Sequence, residues 1–195
     1  MNYAKLILKK KERIINDLSK GSMDELIFIQ QRFHKTDVSR DRVFQFNFIH
    51  YYQMDRAKGL LTDKFVSAFF ELLENSRNEI QFADCVMELQ KVNKKINAVF
   101  ASKLCATIKP EHSIYDKRVR RFFGLPVRYK YLGRRRLKCI IQDLEIIQKK
   151  SQEILKDKKI IKMISDVRRL FPLAKKKLIP DLRLIDLFIY HTNLK

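Results

Sequence analysis

Apolar residues recur every three or four positions along nearly the whole chain, which predicts one helix after another. Leu6, Ile7, Lys10, Ile14, Ile15 and Leu18 trace a first stripe that Gly21 ends. Ser22 with Glu25 three residues on reads as a capping box for a helix through Leu26, Ile29, Gln30 and Phe33. Ser39 or Asp41 opens a third helix through Val43, Phe44, Phe48 and Tyr52. The Phe-rich alternation over Val43–Ile49 makes a short strand the competing assignment there. Thr62 caps a helix carrying Phe65, Phe69, Leu72 and Leu73. Further helices are expected over Glu79–Ile96, Ala98–Ile108, Tyr115–Phe123, Arg136–Leu155 and Lys158–Leu170. A last one has Pro180 in its first turn. No internal repeat or flexible linker interrupts the series. The expected fold is therefore all-α: one compact multi-helix domain over residues 1–195, with a lobe boundary near residues 98–125.

Composition narrows this picture. Only 4 Gly and 4 Pro in 195 residues speak against a loop-rich β-sandwich or a glycine-built nucleotide fold. The charge speaks for a partner. The formal net charge is +20, and residues 1–100 carry 17 basic and 13 acidic side chains while residues 101–195 carry 25 and 9. An excess of that size favours a polyanionic partner, nucleic acid or an anionic membrane face. The densest stretch, Lys117–Lys138, has ten basic residues and no acidic one. Its Lys117, Arg118, Arg120, Arg121, Arg128, Lys130, Arg134, Arg135 and Arg136 are the candidate phosphate contacts. Tyr129 and Tyr131 alternate with them, whereas an amphipathic membrane helix would place large apolar residues opposite its charges. No stretch is apolar for the roughly 18 residues a membrane span needs. Cys85, Cys105 and Cys139 form no CxxC pair, and the four histidines have no ligand spacing, so neither a metal nor another cofactor is expected. An odd cysteine count and an N-terminus without a long apolar run suit a reducing cytoplasm.

The segment Ala101–Leu125 carries the chemistry. It holds Lys103 in Ser-Lys-Leu-Cys-Ala, then Lys109-Pro110, then Ile114-Tyr115-Asp116, Val119, Arg121 and Gly124-Leu125. In this order it resembles the end of the helix-hairpin-helix module of the base-excision DNA glycosylases. There a lysine-bearing helix precedes a short loop and an apolar-x-Asp-x-x-Val-x-Arg helix start. The resemblance covers Glu79–Leu125. The Val43–Leu73 block and Arg183-Leu-Ile-Asp-Leu are also similar to bacterial relatives of that superfamily. Three departures stand out. Asn97-Ala-Val-Phe100 replaces the glycine-rich hairpin, the spacing from Lys103 to Asp116 is shorter than usual, and the cluster-binding cysteine quartet is absent.

The resemblance implies double-stranded DNA as the partner and cleavage of the N-glycosidic bond of a damaged base, with or without lyase cleavage of the strand. Asp116 would be the carboxylate that stabilises charge on the deoxyribose, and Lys103 the nucleophile that forms a Schiff base. An ordinary lysine amine is protonated at neutral pH, so this role needs an environment that depresses its pKa. A base rotated out of the stack needs a pocket with aromatic walls, and Phe44, Phe46, Phe48, Tyr51, Tyr52 and Phe122 are the candidates. Two alternatives stand beside this reading. One is a nucleic-acid-binding module that kept the fold and lost the chemistry. The other is a basic face that meets an acidic protein. The geometric requirement of the enzyme reading is that Lys103 and Asp116 line one cleft.

Overall fold

The computed structural model describes residues 2–57, 59, 61–128 and 133–192. Among these residues all regular structure is helical. Eleven α-helices follow in chain order: α1 (Tyr3–Leu8), α2 (Lys11–Asp17), α3 (Met23–Phe33), α4 (Arg42–Tyr51), α5 (Asp63–Asn75), α6 (Phe82–Asn93), α7 (Ala98–Ile108), α8 (Lys117–Phe122), α9 (Gly133–Ile154), α10 (Lys158–Leu170) and α11 (Asp181–His191). The all-α expectation holds, and the strand alternative over Val43–Ile49 does not. Phe44, Phe48 and Tyr52 all enter one core from α4 and the turn that ends it. That is the period of a helix face, while Phe46 is left 71 % exposed.

Capping residues set several helix starts. Asp41 accepts the Phe44 N–H at 3.0 Å and Thr62 accepts the Phe65 N–H at 3.2 Å. Two expectations are corrected at the N-terminus. The first stripe is two helices, broken at Lys9-Lys10, and the break lets α1 pack on α10 and α2 on α11. The capping box at Ser22 and Glu25 does not form. Ser22 has helical backbone angles and no capping bond, and the chain turns instead through Gly21 at φ 111°.

Buried apolar residues gather in two cores. One is contiguous, built from Ile29 to Ile114 on α3–α7. The other joins the two ends of the described chain, Ala4–Ile27 and Tyr115–Ile189, and includes Ala98. Tyr51, Phe82 and Ile96 touch both cores and form the seam. The chain passes from one core to the other between Ile27 and Ile29 and returns between Ile114 and Tyr115.

The α6–α7 hairpin is built without glycine. Lys94 takes the left-handed conformation at φ 60° and closes α6 by donating its N–H to the Gln90 carbonyl. Asn97 Nδ2 then bonds Asn93 Oδ1 at 2.8 Å and the Lys95 carbonyl at 3.0 Å. Lys94 and Lys95 stand exposed at the tip. α7 itself runs through the interior. Its small residues Ala98, Ala101, Ser102 and Ala106 let neighbours close on every side, so even Lys103 is buried.

Candidate active site

A cavity of about 280 Å³ opens on the seam between the two cores. Both Lys103 and Asp116 line it. The contiguous lobe contributes Lys103 and the turn after α4, and the end-built lobe contributes Asp116 and the face of α11. The geometric requirement set by the sequence is met.

Lys103 is only 7 % exposed. Its Nζ donates to the Tyr52 carbonyl at 2.6 Å and lies 5.5 Å from the Tyr52 ring centre. That carbonyl is available because Tyr52 ends α4, where the last carbonyls lack partners in the helix. Burial lowers the Lys103 pKa to about 8, and the Arg183 charge pushes the same way while the Asp116 charge opposes. Asp116 is the N-cap of α8, its Oδ1 accepting the Val119 N–H at 2.8 Å. Its helix ends at Gly124, φ 67°, where Leu125 N bonds the Arg120 carbonyl at 2.8 Å. Capping and facing the cavity are thus compatible duties of one side chain.

The wall opposite is a pair the sequence reading gave no role. Arg183 is 1 % and Asp186 4 % exposed. Arg183 Nη2 donates to the Tyr52 hydroxyl at 2.6 Å, and Asp186 Oδ2 accepts the Ile114 N–H at 3.1 Å. Burial raises the Asp186 carboxyl to about 7, with Arg183 opposing. The available signal was a charge pair three apart inside the otherwise apolar run of α11. Gln53, also on the cavity, holds a left-handed backbone at φ 50°. At the mouth, His50 Nδ1 lies 3.6 Å from Glu25 Oε1.

Ser22 Oγ lies 3.2 Å from His191 Nε2, and His191 Nδ1 lies 3.7 Å from Asp17 Oδ2. These are the residue types of a hydrolytic triad. The imidazole–carboxylate gap is too wide for the hydrogen bond a triad uses. We read the chain as a tie between the end of α11 and the Gly21 turn. Burial lowers the His191 pKa.

The other sequence candidates fall in three places. Tyr51 and Tyr52 line the cavity. Phe44 and Phe48 sit inside the contiguous core and Phe122 inside the other, away from the cavity lining. Of the basic run, Lys117, Arg121, Arg134 and Arg135 are exposed and Arg136 is half-buried. Arg118 stacks over Tyr190 at 4.0 Å. Arg120 is buried over the Tyr115 ring. Arg128 forms a two-toothed pair with Asp143 at 2.9 and 2.6 Å, and that bond raises its pKa. Lys130, Tyr129 and Tyr131 lie outside the described residues. Among the described residues no group of three His, Cys, Asp or Glu side chains could hold a metal ion. No helix among them is long and apolar enough to cross a membrane. No protein-family model, curated protein or solved structure matches the chain.

Proposed function

We propose that this protein binds DNA and cleaves the N-glycosidic bond of a damaged nucleotide, with Lys103 as nucleophile and Asp116 as the assisting carboxylate. The observation that carries the reading is a buried lysine amine sharing one base-sized cavity with a carboxylate. A pKa near 8 leaves a usable share of that amine unprotonated at neutral pH. The neutral amine attacks the sugar carbon, the base departs, and an imine joins Lys103 to the opened sugar. Asp116 stabilises the positive charge that develops on the sugar as the bond to the base breaks. Before attack Lys103 gives up its bond to the Tyr52 carbonyl. Tyr51 and Tyr52 offer aromatic walls to a base rotated out of the duplex. Lys117 and Arg121 on α8, Arg134 and Arg135 at the start of α9, and Lys94 and Lys95 at the hairpin tip supply the positive charge for the backbone.

Borohydride trapping on a duplex with a single abasic site tests this. Wild type and Asp116→Asn are compared with Lys103→Gln. An adduct that disappears in Lys103→Gln is the expected result, formed faster as pH rises to about 8 and level beyond. An adduct unchanged in Lys103→Gln overturns the lysine mechanism. One observation favours a protein that binds without cutting: the Lys103 amine is already engaged by Tyr52. That reading predicts salt-dependent DNA affinity with no adduct at all.

A further inference from the structure

Arg183 and Asp186 are each anchored by one atom and left with another to spare. Tyr52 holds Arg183 through Nη2, and Ile114 holds Asp186 through Oδ2. Arg183 Nε and Asp186 Oδ1 are buried and bond nothing in the protein. The two residues do not satisfy each other, since Nη1 and Oδ2 are 3.8 Å apart, beyond hydrogen-bond reach. A pair kept only to brace α11 would close on itself. An unpaired donor and an unpaired acceptor cost stability unless a ligand or water completes them. Both residues line the cavity and stand three apart on α11, on one face of the helix.

We infer that Arg183 and Asp186 form a recognition edge that selects a neutral nucleobase carrying an N–H beside a C=O. The inference rests on the base-pocket reading above. The guanidinium donates to the carbonyl and the carboxylate accepts the ring N–H. Arginine prefers carbonyl acceptors of this kind, whereas adenine is read by amide side chains. Opposite charges side by side give the floor no net preference for a cationic, alkylated base. Uracil and hypoxanthine carry such an edge. A methyl group on the uracil N3 removes the donor and leaves the rest of the ring intact.

The test uses the full-length protein and duplexes bearing one 2′-fluoro nucleotide that resists cleavage, with uracil, hypoxanthine or 3-methyluracil as the base. Affinity is read by fluorescence anisotropy. Wild type should prefer the first two over 3-methyluracil by about tenfold, the scale of one two-toothed base contact. That preference should vanish in Asp186→Asn, with folding checked by its melting transition, and Arg183→Lys serves if Asp186→Asn does not fold. Equal affinity of wild type for all three duplexes overturns the inference, and so does a preference that survives in the folded variant. Trapping on an abasic site needs no base. An adduct without base preference therefore sinks this inference alone, while absence of both adduct and duplex binding sinks the reading beneath it.

Discussion

The two lobes solve the same packing problem with different materials. The contiguous lobe is aromatic: the Phe48 ring lies 4.6 Å from Tyr52, 5.5 Å from Phe69 and from Phe70, and 5.6 Å from Phe44. The end-built lobe is mostly aliphatic, with Ile140, Ile147, Ile154, Ile160, Ile164 and Leu184 at its centre. Its buried polar groups differ too. Asp143 is fully buried and is satisfied by Arg128 and the Tyr115 hydroxyl. The phenol is held up at about 12, chiefly by burial. At the seam the polar groups keep spare capacity. A closed polar network stabilises the fold, whereas an open one between two lobes is what a ligand site requires.

The sharpest way to break this comparison is Phe48→Ala. Loss of a ring from the aromatic cluster should cost about 3–5 kcal/mol, against roughly 0.5–1.5 for Ile→Val in an aliphatic core. Urea denaturation of Phe48→Ala beside Ile164→Val measures the gap. If both lobes melt in one transition, the seam couples them.

Next comes Lys103→Met, which removes a buried charge from the seam. The variant should be more stable by roughly 0.5–2 kcal/mol at pH 7 while losing all covalent trapping, a trade between stability and function. A drop in melting temperature would show that the bond to the Tyr52 carbonyl outweighs the burial penalty.

A pH series sharpens the contrast between open and closed networks. The folded Asp186 carboxyl titrates near 7, well above its ordinary value of 3.8. The folded state then binds the extra proton between pH 4 and 7, so Asp186 favours folding at low pH and loses that contribution as pH rises through 7. Asp186→Asn should gain on wild type across that window and hold a constant lead above it. Melting curves at pH 4, 5.5, 7 and 8 would show a flat difference if Asp186 is solvated instead.

The smallest effect belongs to the hairpin. Lys94→Gly relieves a left-handed lysine and should raise stability by no more than about 1 kcal/mol. It also removes one charge, so the dependence of DNA affinity on log salt should weaken by about 1. An unchanged slope would place the hairpin away from the duplex.

Much of the fold was legible in the sequence for local reasons. The ends of α7 and α10 follow from the prolines that stand after them, Pro110 and Pro172, and Asp41 and Thr62 cap by short-range bonds. The break at Lys9-Lys10 was not legible, because it serves packing against α10 and α11, more than 140 residues away. Ser22 misled because its hydroxyl is drawn to His191 and to the Asp17 carbonyl, a contact the local pattern cannot see. The site was half legible. Lys103 and Asp116 stood out by order and residue type. Arg183 and Asp186 stayed without a role because periodicity assigns charge to the surface, and only the folded chain shows which charges are enclosed.

The discontinuity of the second lobe has a consequence during synthesis. As the chain leaves the ribosome, residues 29–114 are complete early and can bury their aromatic cluster alone. Residues 3–27 must wait for a partner surface that is translated after the contiguous lobe. Until α11 emerges, Lys103 lacks Arg183 and Asp186, and the cavity lacks the wall they form. A chain stopped before α11 therefore keeps Lys103 against the Tyr52 carbonyl with only part of its cavity built around it.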